Sequence, residues 1–174
     1  MEKIKHKKNL LKIKDIAIIA ILVSNLLLVN YILGYIPLIQ LTILLIVVFS
    51  KKLGFFKSLI IIFVFNIIDY LLSGSFNIIF ILTSFIGYSL IPISLHTIFK
   101  KVDGNMNLAL LGILFSFLFS WIHILPICFI LNMDFISYLL TDIIFEIVMA
   151  LSSFISILFL YYPLSKVFDV ANIK

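Results

Sequence analysis

Arginine is absent from this sequence, one cysteine stands at position 128, and charged residues make up only 12% of its 174 positions. Each shortage excludes something. A single thiol in an apolar run closes no internal disulfide, and no metal-ligand spacing surrounds it, so Cys128 reads as core and no metal site is expected. So few charges cannot cover the surface of a soluble domain of this length. The phosphate loop G-x-x-x-x-G-K-[ST] does not occur, so no ATP site is expected. Neither G-x-S-x-G, nor H-E-x-x-H, nor a glutamate pair with an arginine is present. The chain is therefore expected not to be an enzyme, with no catalytic residues and no cofactor. No linker, soluble domain or internal repeat is visible, which predicts one transmembrane domain over 1–174 with a short Lys-rich cytoplasmic start at 1–14.

What the sequence has is length of apolar run. Hydrophobic residues make up 64%, and the mean hydropathy is +1.30. Runs this long, broken only by short polar stretches, need lipid around them and must satisfy their own backbone groups there. They are too long for the strands of an outer-membrane barrel and lack its alternation. The fold class is an all-α integral membrane protein, a compact bundle of about six transmembrane helices. The breaks place helices at 15–32, 36–49, 53–72, 78–99, 108–131 and 136–168. A span takes ~20 apolar residues, so the second run, being short, is expected to tilt, thin the bilayer or partly re-enter. The last run is long, and its end after Pro163 is expected to lie along the inner surface.

Lysine placement fixes the expected orientation. All 13 basic residues are Lys, grouped at 3–14, 51–57, 100–101 and 166–174. With six passes and both termini inside, every one faces the cytoplasm, and the opposite breaks near Gly34, 73–77 and 132–134 hold none. That is the positive-inside bias, and an odd number of passes would spoil it. The net charge of +5 therefore needs no nucleic acid. The Lys-rich start reads as a topology anchor against anionic membrane lipid, and no small-residue cleavage site follows it, so the first helix is expected to be retained. Abundant Ile, Phe, Asn and Lys fits an AT-rich bacterial genome and hence a bacterial cell membrane.

Polar residues inside the spans carry the functional argument, because an ionisable group at membrane depth costs several kcal/mol. The candidates for substrate binding are Asn66 and Asp69 in the third run, Trp121 and His123 in the fifth, and Asp142 and Glu146 in the sixth. All fall between mid-membrane and the lysine-free side. Asn66 and Asp69 are i, i+3; Asp142 and Glu146 are i, i+4 and share a face with Ala150 and Ser153. His123 extends the small-residue stripe Gly112–Ser116–Ser120 and is expected to face the bundle, with Trp121 about 200° away around the helix. Asn25 and Asn30 of the first run read as interhelical hydrogen-bonding groups.

Certain stretches resemble the substrate-binding S components of energy-coupling factor (ECF) transporters. Ile36-Pro37-Leu38 through Lys51-Lys52-Leu53-Gly54-Phe55-Phe56 is similar to their second helix and the turn into the third. Asn66-Ile67-Ile68-Asp69-Tyr70 followed by Ser73-Gly74 sits where many members carry an aspartate. Tyr138 to Glu146, then Tyr162-Pro163-Leu164-Ser165-Lys166, looks like their closing helix. The resemblance implies capture of a vitamin-like micronutrient from outside, with uptake driven by a transmembrane T component and two ABC ATPases. It also implies docking through small first-helix residues, here Ala17, Ala20 and Ser24, with serine where the family usually has alanine.

A second resemblance is of another class. Asp69 followed by Ser73-Gly74-Ser75, together with the length and helix count, is similar to the rod-shape-determining protein D family, which are scaffolds of cell-wall elongation. Acidic and histidine content in the last two helices separates the two readings, since a scaffold has little need of Asp142, Glu146 and His123 in one half of the membrane. Those carboxylates, with no cation near, predict a neutral or cationic ligand over an anionic one.

Overall fold

The computed structural model of the chain describes residues 13–33, 41–74 and 76–172. Most of the Lys-rich start, the first residues of the expected second span and Ser75 lie outside the described residues. Six helices account for nearly all of the rest: α1 (Ile13–Leu33), α2 (Leu41–Leu53), α3 (Phe55–Leu72), α4 (Ile78–His96), α5 (Asn105–Leu131) and α6 (Phe135–Val170). There is no strand among the described residues. Five of the six are long and apolar enough to cross a membrane, which makes this a multi-pass helical membrane bundle.

Helix ends follow local chemistry. Gly54 takes φ 84° between α2 and α3, a conformation open to glycine at little cost, so the third helix starts at Phe55 and not at residue 53. The Asn77 side chain accepts from the Ile79 N–H and starts α4, and Asp134 does the same for Ser137 at the start of α6; both are ordinary N-caps. Asn132 closes α5 in the left-handed region at φ 52°, where asparagine is among the residues that tolerate it. The fourth helix ends at His96, short of the expected residue 99, because Thr97 leaves helical geometry. Pro163 does not turn the chain. The last helix runs on to Val170, and its end packs back on the bundle, with the Phe168 ring 5.8 Å from Phe49.

The shortest helix sits at the centre. The 13 residues of α2 rise only ~20 Å, well under the ~30 Å of a bilayer core. Yet α2 touches all five other helices, and Ile43, Ile46, Val47 and Val48 are wholly shielded. Its hydrophobicity is therefore that of a buried core element, satisfied by neighbouring helices more than by lipid. Around it, α5 and α6 pack along their lengths. Their seam is built on small residues: Gly112 leaves so little room that a Cβ there would lie 2.5 Å from Ile157 Cδ1. One turn on, the Ser116 hydroxyl donates to Ser153 at 2.7 Å.

The lysines gather at one end. Lys57 of α3 pairs with Asp15 of α1, Lys51 at the end of α2 with Asp103 in the α4–α5 loop, and Lys52 with Asp169 near the end of α6. These pairs bring the start of α1, the end of α2, the start of α3, the α4–α5 loop and the end of α6 to a single face. The loops at the other end contain no lysine among the described residues. Exposed and part-buried pairs of this kind add little stability each, but they fix which helix ends meet.

Candidate functional site

At the lysine-free end the polar side chains are joined in pairs that step from helix to helix. The Asn30 amide of α1 donates to Asp69 Oδ1 of α3 at 2.8 Å. Beside Asp69, the Tyr70 hydroxyl lies 2.8 Å from Ser84 Oγ of α4, and Ser84 Oγ lies 2.8 Å from His123 Nε2 of α5. Further in, the Ser120 hydroxyl of α5 donates to Glu146 Oε1 at 2.8 Å, and the Trp121 indole N–H to Oε2 at 3.1 Å. Four interhelical seams, α1–α3, α3–α4, α4–α5 and α5–α6, are thus tied by side-chain hydrogen bonds in the same half of the bundle. In a medium without water, each such bond satisfies groups that would otherwise be stranded.

The expected binding residues take different places in this arrangement. Asn66 is buried and turns its amide back onto the Ile62 carbonyl of its own helix. Asp69 reaches across to α1. Trp121 and His123 diverge as their spacing requires, Trp121 toward α6 and His123 toward α4. Glu146 is 1% exposed, about 17 Å along α6 from its start. Asp142, one turn nearer the lysine-free end, is half-buried and makes no hydrogen bond or ion pair with the described residues. The side chains therefore form two groups. One is Glu146 with Ser120, Trp121 and the neighbouring Asp142; the other is Tyr70, Ser84 and His123, with Asp69 next to Tyr70. Among the described residues no three of His, Cys, Asp and Glu gather in a way that could hold a metal ion.

His123 is held by more than its hydrogen bonds. Its ring lies 4.3 Å from Phe119, whose other face stacks on Tyr88 at 4.2 Å. Gly87 makes the approach of Phe119 possible, since a Cβ there would come within 2.8 Å of the phenyl ring. Two members of this group, Tyr70 and Ser84, carry no signal in the sequence. A serine inside an apolar helix usually bonds back to its own turn, as Ser50 and Ser94 do here. A tyrosine near a helix end reads as an interface anchor.

On the opposite flank, α1 shows a bare face. Ala17, Ala20 and Ser24 are exposed, and the Ser24 hydroxyl is satisfied by the Ala20 carbonyl. Asn25 beside them is exposed and makes no hydrogen bond with the described residues. Between α1 and α3 runs an open groove of about 400 Å³ lined by Ile16, Ala20, Ser24, Ile60, Val64 and Ile68 among others. Its ends are marked by the two polar ties between these helices, Lys57–Asp15 and Asn30–Asp69.

Comparison with protein-family models, with curated proteins and with solved structures found no match.

Proposed function

We propose that this chain is a substrate-binding membrane subunit of the ECF S-component kind, capturing a neutral or cationic micronutrient for uptake driven by other subunits. One observation carries the reading. Among the described residues, Glu146 is a fully buried carboxylate whose two oxygens meet only neutral donors, Ser120 and Trp121, and Asp142, a turn away, is unpaired. Every described lysine lies toward the other end of the bundle. A buried carboxylate without a cation is costly, and an amine or a hydrogen-bonding neutral solute arriving beside Trp121 relieves that cost. The indole, 44% exposed, offers such a solute an aromatic face.

The α1 face supports the partner half of the proposal. Small residues allow close approach of a second helix, and the Asn25 amide gains from a hydrogen bond across such a contact. On this reading a transmembrane T component sits there, with two ABC ATPases attached to it. The helix-to-helix ties favour a second reading, a scaffold of the rod-shape-determining protein D type, because they lock the bundle and leave fewer polar groups free for a ligand.

The test is a binding titration of the purified protein with a panel of water-soluble vitamins and precursors, with mass spectrometry of small molecules that co-purify. A neutral or cationic member should bind, and Glu146→Gln should weaken it at least tenfold, about 1.4 kcal/mol. Submicromolar binding of an anionic member, retained in Asp142→Asn and Glu146→Gln, overturns the charge argument. Recovery of cell-elongation proteins with no small ligand favours the scaffold.

A further inference from the structure

We infer that Tyr70, Ser84 and His123 form a proton relay that carries a proton from the lysine-free end of the bundle to a half-buried imidazole. Hydrogen-bond direction makes the case. His123 Nδ1 lies 3.2 Å from the Phe119 carbonyl, and a carbonyl can only accept, so Nδ1 carries the ring proton. In the neutral ring Nε2 is then an acceptor. Ser84 must donate to it across 2.8 Å, which leaves the Ser84 oxygen to accept from the Tyr70 hydroxyl, also at 2.8 Å. Three side chains on three helices thus form one ordered donor chain, Tyr70 to Ser84 to His123, beginning near the end of α3.

The relay balances. A proton bound at the Tyr70 oxygen displaces the phenolic proton to Ser84 Oγ, and the Ser84 proton passes to His123 Nε2. One O–H bond breaks and one forms at each hydroxyl, an N–H bond forms at Nε2, and one proton has been taken up in all. The chain then points the other way: Nε2–H donates to Ser84, and Ser84 to Tyr70, whose own O–H is free to face outward. Uptake therefore reverses every bond joining α3, α4 and α5 at this level without moving a heavy atom. The ring is kept in register throughout by the Tyr88–Phe119–His123 stack.

The titratable groups on the surrounding helices are Asp69 and Tyr70 on α3, Tyr88 on α4, and Asp142 and Glu146 on α6. No lysine stands among them. The other described histidine, His96, stands at the lysine-rich end of α4 and is outside the relay.

The experiment is histidine-selective 15N NMR of the intact protein in lipid nanodiscs, from about pH 8 to about pH 4, bracketing the ordinary imidazole value. The wild-type His123 signal should show Nδ1–H alone at high pH and gain a second N–H, at Nε2, on acidification. A ring that stays neutral throughout, or an Nε2–H tautomer at high pH, overturns the relay. Kinetics supply the second readout, with Trp121, the only tryptophan, as the fluorophore two residues away. A pH jump should give a fluorescence phase that is absent in His123→Asn and present in Glu146→Gln. Tyr70→Phe and Ser84→Ala should slow it about a hundredfold, the lower range of a positioned proton donor's worth. An unchanged rate in both variants, or a phase that survives His123→Asn and vanishes in Glu146→Gln, overturns it.

Discussion

Asp134 shows how much a single exposed side chain does at the start of a long helix. It lies in the loop ahead of α6, where its carboxylate accepts from the backbone N–H and the hydroxyl of Ser137. Those bonds, the backbone one foremost, hold its pKa below the usual aspartate value. The folded value is depressed, so the cap's contribution is present above the unfolded pKa and is lost as pH falls through the folded one. Asp134→Ala should therefore lower thermal stability at neutral pH, and the difference from wild type should close on acidification past the folded pKa. Melting curves of the two proteins in detergent across that range check the sign. Within the membrane the same currency is the hydrogen bond. Glu146 and Asp69 were marked as costly residues by their position in the sequence alone, while their partners Ser120, Trp121 and Asn30 came from folding.

At the scale of the element, the α5–α6 seam and the α1 face use the same residue types in opposite ways. Gly112, Ser116 and Ser120 of α5 meet Ile157, Ser153 and Glu146 of α6, whereas Ala17, Ala20 and Ser24 of α1 are left exposed, the last two along the open groove beside α3. Both stripes are legible as helical spacing. Which one is buried is not, because the spacing repeats on any helix and only the packing of neighbours chooses between them. Gly112→Val should cost about 1–3 kcal/mol by overpacking against Ile157, read as a lowered melting temperature. Ala20→Trp should leave stability nearly unchanged and remove whatever membrane subunit co-purifies with the chain. Unaltered co-purification would count against the α1 face as a docking surface.

For the whole molecule, the lysine ring has a direct consequence for orientation in the membrane. If the lysine-rich end is cytoplasmic, the loop joining α3 to α4 faces outward. A cysteine placed at Phe76, which is 61% exposed, should react with an impermeant maleimide added to intact cells. One placed at Lys100 should react only after permeabilisation. The native thiol, Cys128, is buried, and a Cys128→Ser background removes it as a source of signal. The reverse pattern would invert the orientation and, with it, the side from which the proposed site is reached.

The sequence by itself determined the class and most of the helices. Apolar runs with no polar residues to cover them leave lipid as the only solvent, and lipid leaves the helix as the only open-ended backbone solution. It also determined the sorting of charge, since the lysine positions separate cleanly once the passes are counted. Tertiary structure decided what composition could not distinguish. A helix apolar all round looks the same whether it faces lipid or neighbouring helices, so the central burial of α2 emerged only from packing. The same limit holds for the polar residues. Their cost is set by depth, which the sequence carries, but their relief is set by whichever side chain lies within about 3 Å on another helix. Tyr70 and Ser84, ordinary in the sequence, became linked to His123 through that proximity alone, Ser84 directly and Tyr70 through Ser84.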